Sequence, residues 1–240
     1  MKAKIFSIAA LVLAAFSANA ALVPVTLSGS TVWGSDYGNT FTYTEGGVTV
    51  TASAWSLTSA GGTFQSSQLN RFDTGLGVCD RSEGKRCDSP QHQVDNVGSY
   101  NFVLFQFSAL VDPLTVVINP VNNNPDYDRD VSYWTGISAE SLYGKTVAQL
   151  SAMGFGDRKD ANASADDDAL TVSLVSPLAN SLLFGASMFD SHDRDDWFKI
   201  TSIKFDYTAP PPVQVPEPGS LALIALALGG LGLARRRRAA

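Results

Sequence analysis

The chain has 240 residues, 45% of them hydrophobic and 17% charged, and a formal net charge of −6. Its two ends are apolar and basic, and without residues 1–20 and 221–240 the middle keeps eleven basic and 23 acidic residues, a formal charge of −12. Such an acidic stretch argues against nucleic-acid binding, because phosphate contacts need clustered Lys and Arg. Its length suits one domain with a substantial core, and its apolar content argues against wholesale disorder.

Residues 1–20 have the three parts of a secretory signal peptide. Lys2 and Lys4 form a positive start, an apolar run extends over 5–16, and Ala18-Asn19-Ala20 is a small-x-small cleavage site. The apolar run is short for a membrane span. We therefore predict export through the inner membrane with cleavage after Ala20; a buried N-terminal helix is the alternative.

The C-terminal region combines a proline-rich stretch with an apolar run and a basic cluster. Thr208–Ser220 holds five of the eleven prolines, which predicts a semi-rigid spacer with its linker at 208–215. Leu221–Ala234 is wholly apolar or Gly, and as a helix it extends about 21 Å. Arginines at 235–238 favour the cytoplasmic side of a membrane, which leaves the body on the exported side.

The order of these features resembles the PEP-CTERM sorting signal of Gram-negative bacteria. The resemblance covers residues 216–240, and the residues that carry it beside the apolar run are Pro216, Glu217, Pro218, Arg235, Arg236, Arg237 and Arg238. It implies processing by exosortase, a membrane-embedded cysteine-type transpeptidase, after transient anchoring in the inner membrane. The hydrophobic tail is then removed, as in a GPI signal, and the protein passes to the cell surface or extracellular polymer matrix. An ordinary tail anchor with a chance Pro-Glu-Pro triplet is the alternative.

Residues 21–207 show the pattern of a mainly β domain. Short runs rich in aromatic and β-branched residues are separated by Gly, Asn, Asp and Ser, which predicts an antiparallel β-sandwich or jelly roll. The predicted strands are Val23–Leu27, Thr40–Thr44, Val48–Trp55, Leu76–Val78, Tyr100–Phe107, Thr115–Ile118, Val131–Trp134, Leu170–Val175, Leu182–Phe189 and Trp197–Tyr207.

Three segments carry more detailed predictions. Tyr100–Phe107 is apolar at nearly every position, which is typical of a central strand covered on both faces. In Trp197–Tyr207 the apolar positions change parity, which predicts a β-bulge near Thr201-Ser202. Lys145–Met153 has apolar residues three apart and predicts a short helix or turn.

Cys79 and Cys87 are the only cysteines. An even count in an exported chain predicts a disulfide. The loop between them is short and polar, and closing it stabilises the fold by roughly 2–3 kcal/mol. A zinc site would need further ligands at suitable spacing.

Catalytic signatures are scarce. His92 and His192 are the two histidines, and both lie in polar segments that predict exposed loops. The sequence has no G-x-S-x-G, H-E-x-x-H or G-x-x-x-x-G-K-[ST] motif. A glycosidase-type carboxylate pair stays open, but we expect a protein that is not an enzyme.

Alternating carboxylates offer oxygen ligands for a structural Ca²⁺ as a cofactor. Asp126, Asp128 and Asp130 alternate in one loop, although the loop lacks the Gly and Glu of an EF-hand. A second acidic loop contains Asp190, Asp193, Asp195 and Asp196, and Asp95-Asn96 is a third donor pair. A solvated acidic surface is the alternative.

Tryptophan side chains are candidates for stacking on sugar rings. The four are Trp33, Trp55, Trp134 and Trp197. Trp134 precedes Thr135-Gly136, so it is the first candidate for a place near a loop, with core packing as the alternative.

The body also has a looser resemblance to exosortase-dependent surface proteins. The segments that show this resemblance are Leu76–Val78, Val94–Asn96 and Tyr100–Phe107. The resemblance implies a β-sandwich and supplies no catalytic residues. Together these features predict a non-enzymatic surface or matrix protein associated with biofilm or exopolysaccharide. A surface-held carbohydrate-binding module is the alternative, and a secreted hydrolase is the third.

Overall fold

A computed structural model describes residues 20–84, 87, 92–120, 129–162, 168–188, 196–210, 226–228, 235 and 237. The predicted signal peptide, apart from Ala20, lies outside these residues. Asn19–Ala209 forms one unit, and Met1–Ala18 with Pro210–Ala240 belongs to another. The fold below is that of the first unit.

The described part of this unit is built from β-strands and two 3₁₀ turns, Val147–Gln149 and Ser151–Met153. The strands are β1 Ala20–Thr26, β2 Thr40–Glu45, β3 Val48–Leu57, β4 Gln65–Ser66, β5 Gln68–Phe72, β6 Gly75–Cys79, β7 Val94–Asp95, β8 Tyr100–Pro120, β9 Val131–Gly136, β10 Lys159–Ala161, β11 Leu170–Ser173, β12 Ala179–Ala186 and β13 Trp197–Thr208. The mainly antiparallel β fold is confirmed, since every strand pair is antiparallel.

One layer of the sandwich has the strand order β10-β9-β12-β8-β3-β2. The N-terminal part of β8 lies at its centre, with Phe102 opposite Trp55 of β3 and Gly185 of β12. Strands β2 and β3 are joined by Gly46-Gly47, both with positive φ, which is the conformation that a two-residue hairpin turn requires.

The other layer is organised around β13 and the C-terminal part of β8. Strand β8 pairs with β11 on one edge and with β13 on the other. The opposite edge of β13 pairs with β1 over seven residues, from Ala20 opposite Thr208 to Thr26 opposite Ser202, and then with β6 and β7. Strand β5 pairs with the far edge of β6. The 21-residue β8 therefore belongs to both layers.

The main core lies between the two layers. Val103 and Phe105 from β8 meet Ile203 and Phe205 from β13 in this cluster. A second apolar cluster covers the outer face of the first layer, where Phe102 and Leu104 pack with residues of the 3₁₀ turns and of the 58–64 loop. The prediction that Tyr100–Phe107 is a central strand covered on both faces is confirmed.

The predicted β-bulge in the last strand is also confirmed. The register between β13 and β8 shifts between Ile200 and Ser202. At the shift, Thr201 donates its hydroxyl to the carbonyl of Val117 and accepts the Leu27 amide on its own carbonyl. Because the bulge inserts one extra residue, the inward-facing apolar side chains change from even-numbered to odd-numbered positions after it. This change is the sequence pattern of a bulge.

Several strand boundaries differ from the predictions. Tyr100–Phe107 and Thr115–Ile118 are parts of one strand, because β8 continues through Asp112-Pro113 opposite β13. Pro113 is tolerated inside β8 because it lies opposite Phe205, beside a register shift between the two strands. The short or polar strands β4, β5, β7 and β10 were not predicted, since their pairing depends on tertiary neighbours rather than on local apolar alternation.

Candidate functional site

The two cysteines form the predicted disulfide, with Cα atoms 5.6 Å apart. Asp80 organises the loop that follows Cys79. Its Oδ1 accepts hydrogen bonds from the Ser82 amide and hydroxyl, both at 2.6 Å, and from the Glu83 amide at 3.2 Å. In return the Asp80 amide donates to Oε2 of Glu83 at 2.9 Å. Two carboxylates therefore stabilise a tight turn beside the bridge.

A third carboxyl group joins these two. Asp95 on β7 is 2% exposed and accepts hydrogen bonds from the Val97 amide and from Nδ2 of Asn101. Burial raises the pKa of Glu83 to about 7, with the Asp80 charge adding to the rise. Burial, then the charge of Glu83, raises the pKa of Asp95 well above its usual value. We call Asp80, Glu83 and Asp95 the carboxyl cluster.

The carboxyl cluster has the raised pKa values of a catalytic acid, but its geometry is that of a structural element. Asp80 is 1% exposed; its Oδ1 accepts three hydrogen bonds within the turn, and its Oδ2 is buried without a hydrogen-bond partner among the described residues. A general acid must reach the proton acceptor of its substrate. Asp80 and Asp95 are closed to a glycoside of any size, so the cluster is better explained by stability than by catalysis.

The predicted calcium loop is described at one of its three residues. Asp126 and Asp128 lie outside the described residues, while Asp130 is buried and donates its amide to Oδ1 of Asp196 at 2.7 Å. Within the ranges that the structure describes, no three His, Cys, Asp or Glu side chains form a group that could hold a metal ion. The Ca²⁺ prediction at Asp126, Asp128 and Asp130 therefore stays a prediction.

Asp196 connects the segments that the sequence offered as separate acidic loops. Its Oδ2 accepts hydrogen bonds from Nδ2 of Asn96 at 2.6 Å and from the Ser187 amide at 3.0 Å. The Asp130 amide occupies Oδ1. One buried carboxylate thus joins three chain segments, and its oxygens serve backbone and amide donors.

The carbohydrate contact predicted at Trp134 is wrong, and the alternative of core packing is correct. Trp134 is 3% exposed and packs edge-on against Phe102 at a centroid distance of 5.9 Å. A sugar ring stacks only on an aromatic face that solvent can reach. Trp55 is likewise buried and donates its Nε1 to Ser53, whereas Trp33 is 39% exposed.

Trp33 belongs to an aromatic and cationic group on the outer side of the second layer. Its ring meets Phe72 edge-on at 5.3 Å and His92 at 5.8 Å. His92 packs against Phe72 at 4.5 Å, and Nζ of Lys199 lies 4.6 Å from the centroid of the Phe72 ring. We call Trp33, Phe72, His92 and Lys199 the Trp33 cluster. His92 is half-buried here, which corrects the prediction of an exposed loop residue; His192 lies outside the described residues.

Both bases of the Trp33 cluster are poorly solvated. Burial lowers the pKa of Lys199 to about 8, although Asp73 acts in the opposite direction. Burial, followed by the Lys199 charge, lowers the pKa of His92. Nδ1 of His92 is buried and has no hydrogen-bond partner in the described part of the chain, so no described carboxylate orients it as in a Ser-His-Asp triad.

A separate groove of about 670 Å³ lies beside the end of β9. Ile137 and Leu178 form exposed apolar parts of its lining, and Lys159 and Asp157 supply charge. The only aromatic residue of its described lining, Phe155, is buried. The groove therefore offers less for a sugar ring than the exposed face of Trp33 does.

Comparison with protein families finds one match, the PEP-CTERM protein-sorting motif, at residues 214–238. The chain carries a PEP-CTERM sorting signal. This motif indicates an exported protein that is sorted by exosortase and is anchored transiently in the membrane before release. No curated protein and no solved structure matches the chain.

The PEP-CTERM motif falls mainly outside the described residues, which include neither Pro216, Glu217 and Pro218 nor Arg236 and Arg238. Residues 226–228, Arg235 and Arg237 are helical and exposed. Among the parts of the chain with described structure, no helix has the length and apolar character of a membrane span. The transmembrane character of 221–234 therefore stays a prediction.

The members of the Trp33 cluster other than Trp33 were missed as site residues. Lys199 stands between Phe198 and Ile200 in an alternating strand, a pattern that predicts an exposed lysine. Its burial depends on Phe72, which reaches it from β5. A charged residue placed in a strongly apolar strand is the one local signal that could have drawn attention to it.

Proposed function

We propose that this chain is a non-enzymatic protein of the cell surface or extracellular matrix, associated with biofilm or exopolysaccharide. The observation that carries the proposal is the PEP-CTERM motif at residues 214–238. Exosortase processes the protein, which is anchored only transiently in the inner membrane. After processing, the protein works as a displayed domain rather than as a membrane-held one.

Support for display comes from the construction of the domain. A disulfide and a buried carboxylate network fasten its loops, and the central strand is packed on both faces. The predicted spacer at 208–215 follows the last strand directly. A stable domain on an extended spacer suits a surface component that presents one side to its surroundings.

The proposal of exosortase-dependent display is tested by Glu217→Ala in the native host. We expect this substitution to leave unprocessed, membrane-held protein, because it removes the central residue of the motif. Glu140→Ala is the matched control, since Glu140 is an exposed acid of the folded domain. Intact-mass analysis of membrane and released fractions measures the outcome, and normal processing of the Glu217→Ala variant would contradict the proposal.

The non-enzymatic part has its own test. Protein released from the native envelope is incubated with exopolysaccharide from the same cells, and new reducing ends are measured over time. We expect no increase over a heat-denatured control. Steady release of reducing ends would replace the display function with a hydrolase.

Carbohydrate binding is the second candidate function, and exposure of Trp33 favours it. A flat aromatic ring at the surface is the usual platform for a sugar ring.

A further inference from the structure

Strand β2 lies at the edge of the first layer, and its outer side is open among the described residues. It pairs with β3 over its whole length, without a register shift, and with no other described strand. Thr40, Thr42 and Thr44 are exposed, and we call them the edge threonines. Phe41 and Tyr43 alternate with them and pack half-buried against the main core. An open edge presents unpaired backbone groups to any strand that can reach it.

The direction of these backbone groups follows from the neighbouring strand. On β3, the Thr49 amide donates to the hydroxyl of Ser108 on β8, at 2.9 Å. Successive residues of a strand direct their amide and carbonyl to opposite edges. Val50 therefore faces β2, where Tyr43 lies opposite it. By the same alternation, the edge threonines direct their amides and carbonyls away from β3, toward the open side.

The other edges of the described sheets are short, charged, covered or interrupted by proline. Strand β10 has three residues, two of them charged, and β11 has four. The edge of β5 is covered, because Val32 and Arg71 exchange two backbone hydrogen bonds there. Strand β1 contains Pro24. Proteins prevent edge pairing by these devices, whereas β2 has six residues and a charge only at the last, Glu45.

We propose that β2 pairs with β2 of a second copy of this chain, antiparallel across a two-fold axis at Thr42. Pairing that joins the free groups of both strands must set edge threonine against edge threonine. With Thr42 opposite itself and Thr40 opposite Thr44, all the edge threonines of both copies are used. Each such pair exchanges two hydrogen bonds, so the first layers of the two copies become one continuous sheet.

The same register matches the aromatic side chains on the core side of β2. Phe41 of one copy lies opposite Tyr43 of the other, in the pairs without hydrogen bonds, where cross-strand side chains are closest. A shift of two residues in one direction sets Tyr43 opposite Asn39, and a shift in the other sets Phe41 opposite Glu45. The centred register is therefore the one that pairs every ring with a ring.

Charge favours a second copy at this edge in particular. The domain is acidic, so two copies repel each other wherever acidic surfaces meet. The edge of β2 is neutral up to Glu45, and the centred register places Glu45 opposite Asn39 rather than opposite another acid. One strand pair is a small interface, so we expect a dissociation constant on the order of 10–100 µM. Anchoring in one membrane raises the local concentration of the chains and favours the dimer there.

The first experiment uses sedimentation velocity on the disulfide-bonded protein released from the native envelope. Between about 1 and 300 µM we expect a shift from monomer to dimer. Thr42→Pro removes the two hydrogen bonds at the axis and should weaken the dimer about tenfold or more, while the β2–β3 ladder keeps its donors. Thr171→Pro is the matched control and should dimerise like the wild type, because Thr171 is an exposed threonine of the edge strand β11. Thermal unfolding shows whether both variants keep the fold.

Single cysteines test the register without relying on the proline variants. Hydrogen-bonded residues of an antiparallel pair have Cα atoms about 5.5 Å apart, which a disulfide can bridge. Thr42→Cys should therefore give a covalent dimer under mild oxidation, measured by intact mass. Thr44→Cys alone should not, since its two copies are about 14 Å apart along the strand. A mixture of Thr40→Cys and Thr44→Cys should crosslink, and Thr171→Cys is the control that should stay monomeric.

Each outcome has one meaning for this inference. A monomer at every concentration would overturn the dimer. A dimer that persists in Thr42→Pro and is lost in Thr171→Pro would overturn its location at β2. Crosslinking of Thr44→Cys in place of Thr42→Cys would overturn the centred register. The pairing goes beyond the proposed display function, and its failure would leave that function untouched, because Glu217→Ala tests display separately.

Discussion

The carboxyl cluster and the Trp33 cluster both withdraw charged groups from water, and they do so with opposite signs. In the carboxyl cluster, backbone amides and Ser82 occupy Oδ1 of Asp80, and the charges of Glu83 and Asp80 raise the pKa of Asp95. In the Trp33 cluster, Lys199 contacts an aromatic ring next to an exposed tryptophan. Burial perturbs a pKa in either place, so the perturbation alone does not identify a binding site. The two clusters differ in exposure, because the Trp33 cluster includes a ring that is 39% exposed, whereas Asp80 and Asp95 are buried.

The two clusters should also give stability opposite dependences on pH. Glu83 has a raised pKa, so its contribution is fully present below its unfolded value and is lost as pH rises toward about 7. Lys199 has a lowered pKa, so the folded state loses its proton first, and stability rises between about pH 8 and the unfolded value of 10.5. The comparison therefore predicts a minimum of stability near pH 7–8.

The largest effect is expected from removing the disulfide beside the carboxyl cluster. The double substitution Cys79→Ala and Cys87→Ala should lower the free energy of unfolding by about 2–3 kcal/mol, because the loop then gains conformational freedom when the chain unfolds. The domain should stay folded. Urea denaturation measures the loss, and the same variant should show a weaker pH dependence between pH 5 and 7. An unchanged midpoint in urea would show that the loop is fastened by Asp80 alone.

Glu83→Gln should remove most of the acid side of the pH profile. The wild type should lose about 1–2 kcal/mol of stability from pH 5 to pH 8, after allowance for the partial exposure of Glu83. Glutamine keeps an oxygen acceptor for the Asp80 amide and cannot ionise. Urea midpoints at the two pH values test this, with Glu140→Gln as the exposed control. An equal slope in both variants would assign the pH dependence to Asp95.

Lys199→Met should have the smallest effect on stability, and one of opposite direction. At pH 7 the variant should be more stable than the wild type by about 1 kcal/mol, since methionine fills the site without a buried charge. The rise in stability above pH 8 should disappear. Thermal unfolding at pH 7 and 10 measures both effects, with Lys204→Met as the exposed control on the same strand. A destabilised variant would show that the contact of the Lys199 ammonium with the Phe72 ring stabilises the fold.

Sequence patterns predicted the structural features that depend on residues close together in the chain. The bulge at Thr201, the two-faced central strand and the disulfide all follow from parity, apolar continuity or cysteine count. The sorting motif is a linear signal and needs no fold to be read. These are features whose physical cause lies within a few neighbouring residues.

The sites were not predictable in the same way, because they are assembled across the chain. Lys199 is buried by Phe72, and Asp95 acquires its neighbours from the disulfide loop. Trp134 and Trp33 both stand beside glycine-containing segments, and only the packing of the second apolar cluster decides which is buried. The exposure of an aromatic ring and the burial of a charge depend on tertiary packing. A single sequence therefore names candidate residues for them but does not show which candidate has the property.

The pairing of Ala20 with Thr208 has a mechanical consequence. Ala20 and Thr208, where the predicted spacer begins, lie at the same end of two adjacent strands. Tension applied at Thr208 is therefore delivered to β13, which is hydrogen-bonded along both edges, to β8 on one side and to β1 on the other. Pulling this strand free requires both ladders to break, so the domain resists a pull at its C-terminal end through hydrogen bonds on both edges of β13.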